Sequence, residues 1–263
     1  MSTVLDDIIS GVREDLAIRQ RTLSAATVAE AACARSAVLD AIAVLRAPGP
    51  VKVIAEIKRR SPSKGDLASI TDPARLAAAY EAGGATAISV LTERRRFGGS
   101  FEDLDAVRAD VSIPVLCKDF MVDSYQIDEA RAHGANIILL IVAALDDALL
   151  CDLYQHATEL SMASLIEVHN EVEIERALTL GGQVIGVNAR NLKTLKVDRA
   201  TFARLAPLIP RDRVRVAESG IRSPADVANY VTTDADALLV GEALVTEGDP
   251  QLAITELIGS VRS

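Results

Sequence analysis

Cysteine is scarce in this chain. Only Cys33, Cys117 and Cys151 occur; their number is odd and no pair has the C-x-x-C spacing. That pattern offers no disulfide framework and suits a reducing compartment, with Cys117 and Cys151 read as packing residues. A basic excess is also missing, because the formal net charge is −9. A general nucleic-acid binder would normally carry a dominant basic face. The opening "MSTVLDDIIS" lacks the basic and apolar regions of a signal peptide. The longest apolar run, residues 137–145, is too short to span a bilayer. The three histidines, His133, His156 and His169, show no metal-ligand spacing. His133 precedes Gly134 and is expected in the last turn of a helix, and His169 in a loop or near a helix start. These absences predict a cytoplasmic protein with no metal, membrane or nucleic-acid partner.

What is present is a sizeable core and a repeat. Hydrophobic residues make up 49% of the 263 positions and charged residues 25%, a balance that argues for an ordered fold. Short β-branched runs alternate with helix-like segments from residue 51 onward. Strands are expected at 51–57, 85–91, 113–118, 136–142, 163–168, 184–188, 214–219 and 236–241. Between them, "DPARLAAAYEAGG" has Pro73 and Gly83 where a helix should start and stop. "SPADVANYV" has Ser223 as N-cap and Pro224 at the first helical position. Eight strands alternating with helices predict an α/β fold, a (β/α)8 TIM barrel. The competing open sheet would usually place a glycine-rich dinucleotide fingerprint after the first strand, and none is found. Residues 1–47 read as an N-terminal helical extension packed on a barrel formed by 48–263, together one structural domain.

Side chains of equal parity share a face of a strand. On that basis Ile54, Glu56 and Lys58 align in the first strand, Leu116, Lys118 and Phe120 in the third, and Leu165 and Glu167 in the fifth. Gly186, Asn188 and Arg190 follow in the sixth, and Val214, Val216 and Glu218 in the seventh. Each set is apolar or small early and polar at the carboxyl end, where active sites of such barrels sit. Three acids and three bases in one mouth also compensate each other's burial. After the last two strands, Gly220 and Gly241 let backbone N–H groups approach an anion, the usual phosphate cradle of this fold. A phosphorylated small molecule is the expected substrate. The cation-rich stretch "AEIKRRSPSKG" then divides. Glu56 and Lys58 belong to the site, while Arg59, Arg60 and Lys64 are expected to be solvated or steering charges. "TERRRFGG" after the second strand is expected to be a mobile loop.

Taken together, "IAEIKRRSPSKG", "SVLTE" with "FGGS", "PVLCKDF", "LIEVHN", "VIGVNARNL", "VAESGI" and "LLVGEALV" resemble the indole-3-glycerol phosphate synthase family, in order and over essentially the full length. The resemblance implies a (β/α)8 carboxy-lyase of tryptophan biosynthesis, monomeric and without cofactors. Its reaction closes the indole ring of 1-(2-carboxyphenylamino)-1-deoxyribulose 5-phosphate and releases carbon dioxide and water. It further implies Lys118 as the general acid at ring closure and Glu167 as the acid/base of dehydration. Lys58 and Glu56 would lie close to the reacting centre, with both lysines candidates for either proton transfer. Asn188, Arg190, Glu218 and Ser219 would orient the substrate. Ser61, Gly220, Gly241 and the backbone at Glu242 would bind chiefly around the phosphate, and Phe97 and Phe120 would wall the aromatic ring. Position 242 departs from many relatives, which carry a small hydroxyl residue there. The rival readings are another phosphosugar barrel enzyme, such as an isomerase or a Schiff-base aldolase using Lys118, and a barrel that only binds a phosphometabolite.

Overall fold

The β-branched runs pair side by side as parallel strands: β1 (Lys52–Ile57), β2 (Ala87–Leu91), β3 (Val115–Lys118), β4 (Ile137–Ile141), β5 (Ala163–Val168), β6 (Val184–Asn188), β7 (Val214–Glu218) and β8 (Ala237–Val240). In the computed structural model, which describes residues 3–63, 65–67, 69–245 and 248–259, β1 pairs with both β2 and β8 and so closes the barrel. Lys64 lies outside the described residues. The expected strands are all found, with ends that differ by up to two residues because the flanking positions already turn toward helices.

Two apolar layers follow from the period-2 pattern. Inward-facing Ile54, Leu116, Leu165, Val214 and Val216 form the barrel's own core. Outward-facing Val53, Ala55, Val115, Cys117 and Ile166 pack against the surrounding helices. Those helices start and stop on local chemistry. Asp72 caps Pro73–Ala82 by accepting the Arg75 N–H, and Gly83 ends it. Ser223 caps Pro224–Thr232 from the Asp226 N–H. His133 is the C-cap of Ser124–Ala132 and pairs with Asp105 at 2.9 Å.

The N-terminal region forms helices α1 (Val4–Thr22), α2 (Ala25–Ala34) and α3 (Ala41–Arg46). Its apolar faces are used at both ends of the barrel. Ala41 and Leu45 of α3 join the inward-facing cluster, and Arg46 donates to Gln183 Oε1 at 2.8 Å. Ile8, Val12 and Leu16 of α1 pack with Val28, Val122 and Tyr125. Arg19 adds a two-oxygen contact to Glu129 at 2.9 and 3.0 Å. No helix among the described residues is long and apolar enough to cross a membrane.

Candidate active site

Parity and register bring the polar strand ends into one mouth. Glu56 comes from β1 with Lys58 just beyond it, Lys118 ends β3, Glu167 is the penultimate residue of β5, and Asn188 and Glu218 end β6 and β7. Glu56, Glu167 and Glu218 are only 1%, 2% and 1% exposed, so their charges must be settled inside the protein.

Glu56 settles its charge by bridging. Lys118 Nζ donates to its Oε2 at 2.6 Å, and Lys58 Nζ lies 2.6 Å from its Oε1. Burial alone would raise this carboxyl, but the Lys118 and then the Lys58 ammonium outweigh it and hold it at about 2. Lys118, despite burial, is held above the usual lysine range by Glu56, Glu218 and Glu167, so its ammonium stays charged. Space for the bridge comes from Gly241, where a Cβ would stand 2.6 Å from Glu56 Oε1.

Glu167 and Glu218 are separated by β6, where Glu167 is paired with Gly186 and Glu218 with Asn188 two residues on. Glu167 lies opposite Gly186, and Gly186 opposite Val216. A Cβ on Gly186 would stand 1.9 Å from Glu218 Oε1. The missing side chain therefore opens the gap in which the two carboxyls come together. Burial, and then the Glu167 charge, push Glu218 well above the ordinary carboxylate range. Glu167 is held below it, because His169 and Lys118 overcome its own burial.

Two adjoining compartments open from this cluster. The first, of about 530 Å³, is lined by Glu56, Lys118, Arg190, Glu218, Ser219, Gly220, Gly241 and Glu242, with Arg199 and Arg222. The second, of about 110 Å³, is lined by Ser61, Phe97, Phe120, Glu167, Asn188 and Leu192, together with Val4, Leu5 and Ile8 of α1. Lys58, Lys118, Arg190, Ser219 and Glu242 border both. Phe97 and Phe120 stand with ring centroids 6.1 Å apart. Asp119 fixes the turn that carries Phe120: its carboxylate accepts the Phe120 N–H at 2.7 Å and the Thr92 hydroxyl at 2.7 Å. Arg190 donates to Ser63 Oγ at 3.1 Å and Leu195 O at 3.0 Å, tying the β1 loop to the β6 loop. Ser219 sits in left-handed backbone, φ 66°, a strain of about 1–3 kcal/mol for a non-glycine residue. The Tyr230 hydroxyl, donating to Ser219 O at 3.2 Å, helps to hold it there.

Thus the structure gathers every expected site residue at the mouth, and it also revises some expectations. Arg59 is not solvated: its guanidinium binds both oxygens of Asp103 and donates to Ile70 O at 3.0 Å, which pins the β1 loop. "TERRRFGG" is not open coil. Glu93 accepts the N–H groups of Arg95, Arg96 and Phe97 and caps a short helix, Arg94–Phe97. Arg95 then clasps α1 through Asp15 at 2.6 and 2.8 Å and Glu14 at 2.8 Å. His169 sits as expected in the loop just before the N-cap Asn170 of helix Glu171–Thr179, and from there it also lies against Glu167, with Nε2 3.3 Å from its Oε1. The sequence carried a faint signal for it, two positions after a strand-end acid. Arg199, paired with Asp226 at 3.0 Å, had no such signal. Among the described residues no group of His, Cys, Asp or Glu side chains is placed to hold a metal ion.

A closed parallel barrel with an acid–base cluster at the carboxyl ends of its strands places the chain among the TIM-barrel enzymes. Solved structures agree on the fold. KGPDC from Streptococcus mutans aligns with TM-score 0.64 at 10% identity, over 81% of this chain and 97% of that one. A 3-hexulose-6-phosphate synthase aligns with TM-score 0.63 at 16% identity, over 80% and 99%. The particular family is given by sequence. The family profile for indole-3-glycerol phosphate synthase matches residues 5–257. The chain is 59% identical to the indole-3-glycerol phosphate synthase of Mycolicibacterium gilvum, over 98% of this chain and 94% of that one. It is 58% identical to indole-3-glycerol phosphate synthase 1 of Streptomyces coelicolor, over 98% and 96%. The chain belongs to the indole-3-glycerol phosphate synthase family. Its activity is that of a decarboxylating lyase in tryptophan biosynthesis, with a phosphorylated small molecule as substrate.

Proposed function

We propose that Lys118, Glu167, Lys58 and Glu56 carry the chemistry on 1-(2-carboxyphenylamino)-1-deoxyribulose 5-phosphate. The observation that supports this reading most is the Glu56 carboxylate with an ammonium 2.6 Å from each oxygen, Lys118 on one and Lys58 on the other. Such a bridge positions two proton donors and keeps Lys118 charged in a buried mouth. Lys118 protonates the ribulose carbonyl oxygen as the aromatic carbon attacks and the new C–C bond forms. Carbon dioxide then leaves, its bonding electrons drawn into the iminium of the new ring. Glu167 takes the ring proton in the dehydration, and Lys58, which also pairs with the substrate carboxylate, protonates the departing hydroxyl.

The compartments divide the substrate in the same reading. Phe97 and Phe120 wall the aromatic ring, and Asn188, Arg190, Glu218 and Ser219 orient it and the ribulose hydroxyls. Ser61, Gly220, Gly241 and the Glu242 backbone bind chiefly around the phosphate, with Arg199 and Arg222 as nearby cations. Gly241 serves twice, since its missing side chain also clears Glu56. The same proposal takes residues 1–47 as an extension packed on the 48–263 barrel, in one structural domain. It takes the enzyme as a cytoplasmic monomer, and the net charge of −9 weighs against nucleic-acid binding. The test is turnover of that substrate by the wild type, Lys118→Ala and Glu167→Gln. Conversion by the wild type that collapses in both variants is expected. Conversion undiminished in either would refute that residue's role.

A further inference from the structure

Two buried carboxyls that meet cannot both be ionised at low cost, and something must decide which one keeps the proton. At this mouth the two are Glu167 and Glu218. As carboxylates neither has a hydrogen to offer, and both Glu218 oxygens lack a hydrogen-bond partner in that state. A proton on Glu218 supplies the missing donor. The surroundings of the pair are not symmetric. Lys118 from β3 faces both, with Glu56 from β1 behind it, and Asn188 from β6 lies beside Glu167. The distinguishing group is His169, which of this pair touches only Glu167.

His169 is held at both ring nitrogens. Its Nε2 lies 3.3 Å from Glu167 Oε1, and its Nδ1 lies 3.0 Å from Glu173 Oε2. The same Glu173 oxygen accepts the His169 backbone N–H at 2.7 Å. Glu173, in the first turn of helix Glu171–Thr179, is itself fixed by the Asn170 amide donating to its other oxygen at 2.6 Å. Glu167 Oε1 and His169 Nε2 are both buried without a hydrogen-bond partner, and each is the other's ion-pair contact at 3.3 Å. An imidazole between two carboxylates donates from both nitrogens and is therefore cationic.

We propose that His169, clamped by Glu173, is a positioning residue that makes Glu167 the ionised member of the Glu167–Glu218 pair, poised to accept the substrate proton. The assignment rests on the proposed role of Glu167, and it uses a residue that this role left idle. The two burdens on His169, burial against it and two acids for it, resolve in favour of the cation, pushed up to about 10.

The experiment has two arms. The first is the pH profile of kcat/KM, which reports the free enzyme's ionisations. His169→Asn keeps a polar group but removes the cation, so the acid limb should move up by about one pH unit or more, a loss of about tenfold along it. Glu173→Gln should move the limb in the same direction by less, and it carries this arm if His169→Asn does not fold. A purely structural role would lower the rate equally at every pH, and a limb that stays in place overturns the proposal. The second arm needs no turnover. With only three histidines in the chain, the ring nitrogens of His169 can be followed by NMR. Both should remain protonated at pH 8, and a ring that titrates near the ordinary value of about 6.5 overturns the proposal. Failure of the wild type to convert substrate would refute the proposed function, while the NMR arm would still decide the charge of His169.

Discussion

Glu56→Gln is the perturbation whose size follows most directly from the structure. The substitution keeps the shape of a side chain only 1% exposed, but it removes the anion that two ammonium groups approach at 2.6 Å. In the folded chain Glu56 falls from 4.5 to about 2, which corresponds to about 3 kcal/mol of stability at neutral pH. Removing one partner of a buried ion pair costs about 3–5 kcal/mol by experience with other proteins, so the two routes agree. For a chain of this size the loss should lower Tm by about 6–12 °C. The pH dependence has a definite sign. A depressed carboxyl contributes its full stability above 4.5 and loses it as the pH falls toward 2. The gap between wild type and variant should therefore shrink by about 1 kcal/mol on going from pH 7 to about pH 3.5. Thermal and urea unfolding of the two proteins at both pH values measure it. A gap below about 1 kcal/mol at pH 7, or one that does not narrow in acid, would refute the reasoning.

Other consequences can be checked in parallel. Gly186→Ala puts a methyl group on Glu218 and should cost about 1–3 kcal/mol, a penalty that shrinks to the milder contact with Leu165 when Glu218→Ala is combined with it; additive costs in a double-mutant cycle would sink this account of the glycine. Gly241→Ala should displace Glu56, cutting kcat by about tenfold or more and stability by about 1–3 kcal/mol with a matching fall in Tm; an unchanged kcat would contradict this reading of the glycine. Arg95→Ala frees α1 from the Arg94–Phe97 turn, and hydrogen exchange over residues 4–16 should quicken; unchanged protection would mean the clasp does not hold the helix. Cys33 is exposed whereas the Cys117 thiol is buried and raised above the ordinary range. A thiol reagent should modify Cys33 in the native protein and reach Cys117 only on unfolding.

Much of this was legible in the chain because alternation is a local signal. Eight alternating runs with apolar inward positions, five of them with a polar last inward residue, are enough to place Glu56, Lys118, Glu167, Asn188 and Glu218 around one mouth. What stayed hidden depends on partners far away in sequence. Arg59 looks like any other cation of "KRRSPSKG" until Asp103, on a later helix, comes beside it. The apolar helix α3 gives no hint that Ala41 and Leu45 belong to the barrel's own core. Gly241 reads as a phosphate-loop glycine, and nothing local says that its absent side chain also makes room for Glu56. His169 reads as a loop residue because its meaning lies in the separation from two acids, which only the folded β5 end defines.

The central claim is that Lys118 donates the proton that closes the ring, and one emission trace tests it. The chain has no tryptophan, so an indole product stands out against tyrosine alone. Lys118→Met should bind the substrate, as followed by calorimetry, and produce no indole emission, while the wild type produces it within the same mixing experiment. Emission from Lys118→Met at the wild-type rate would contradict the account and move the acid to another residue.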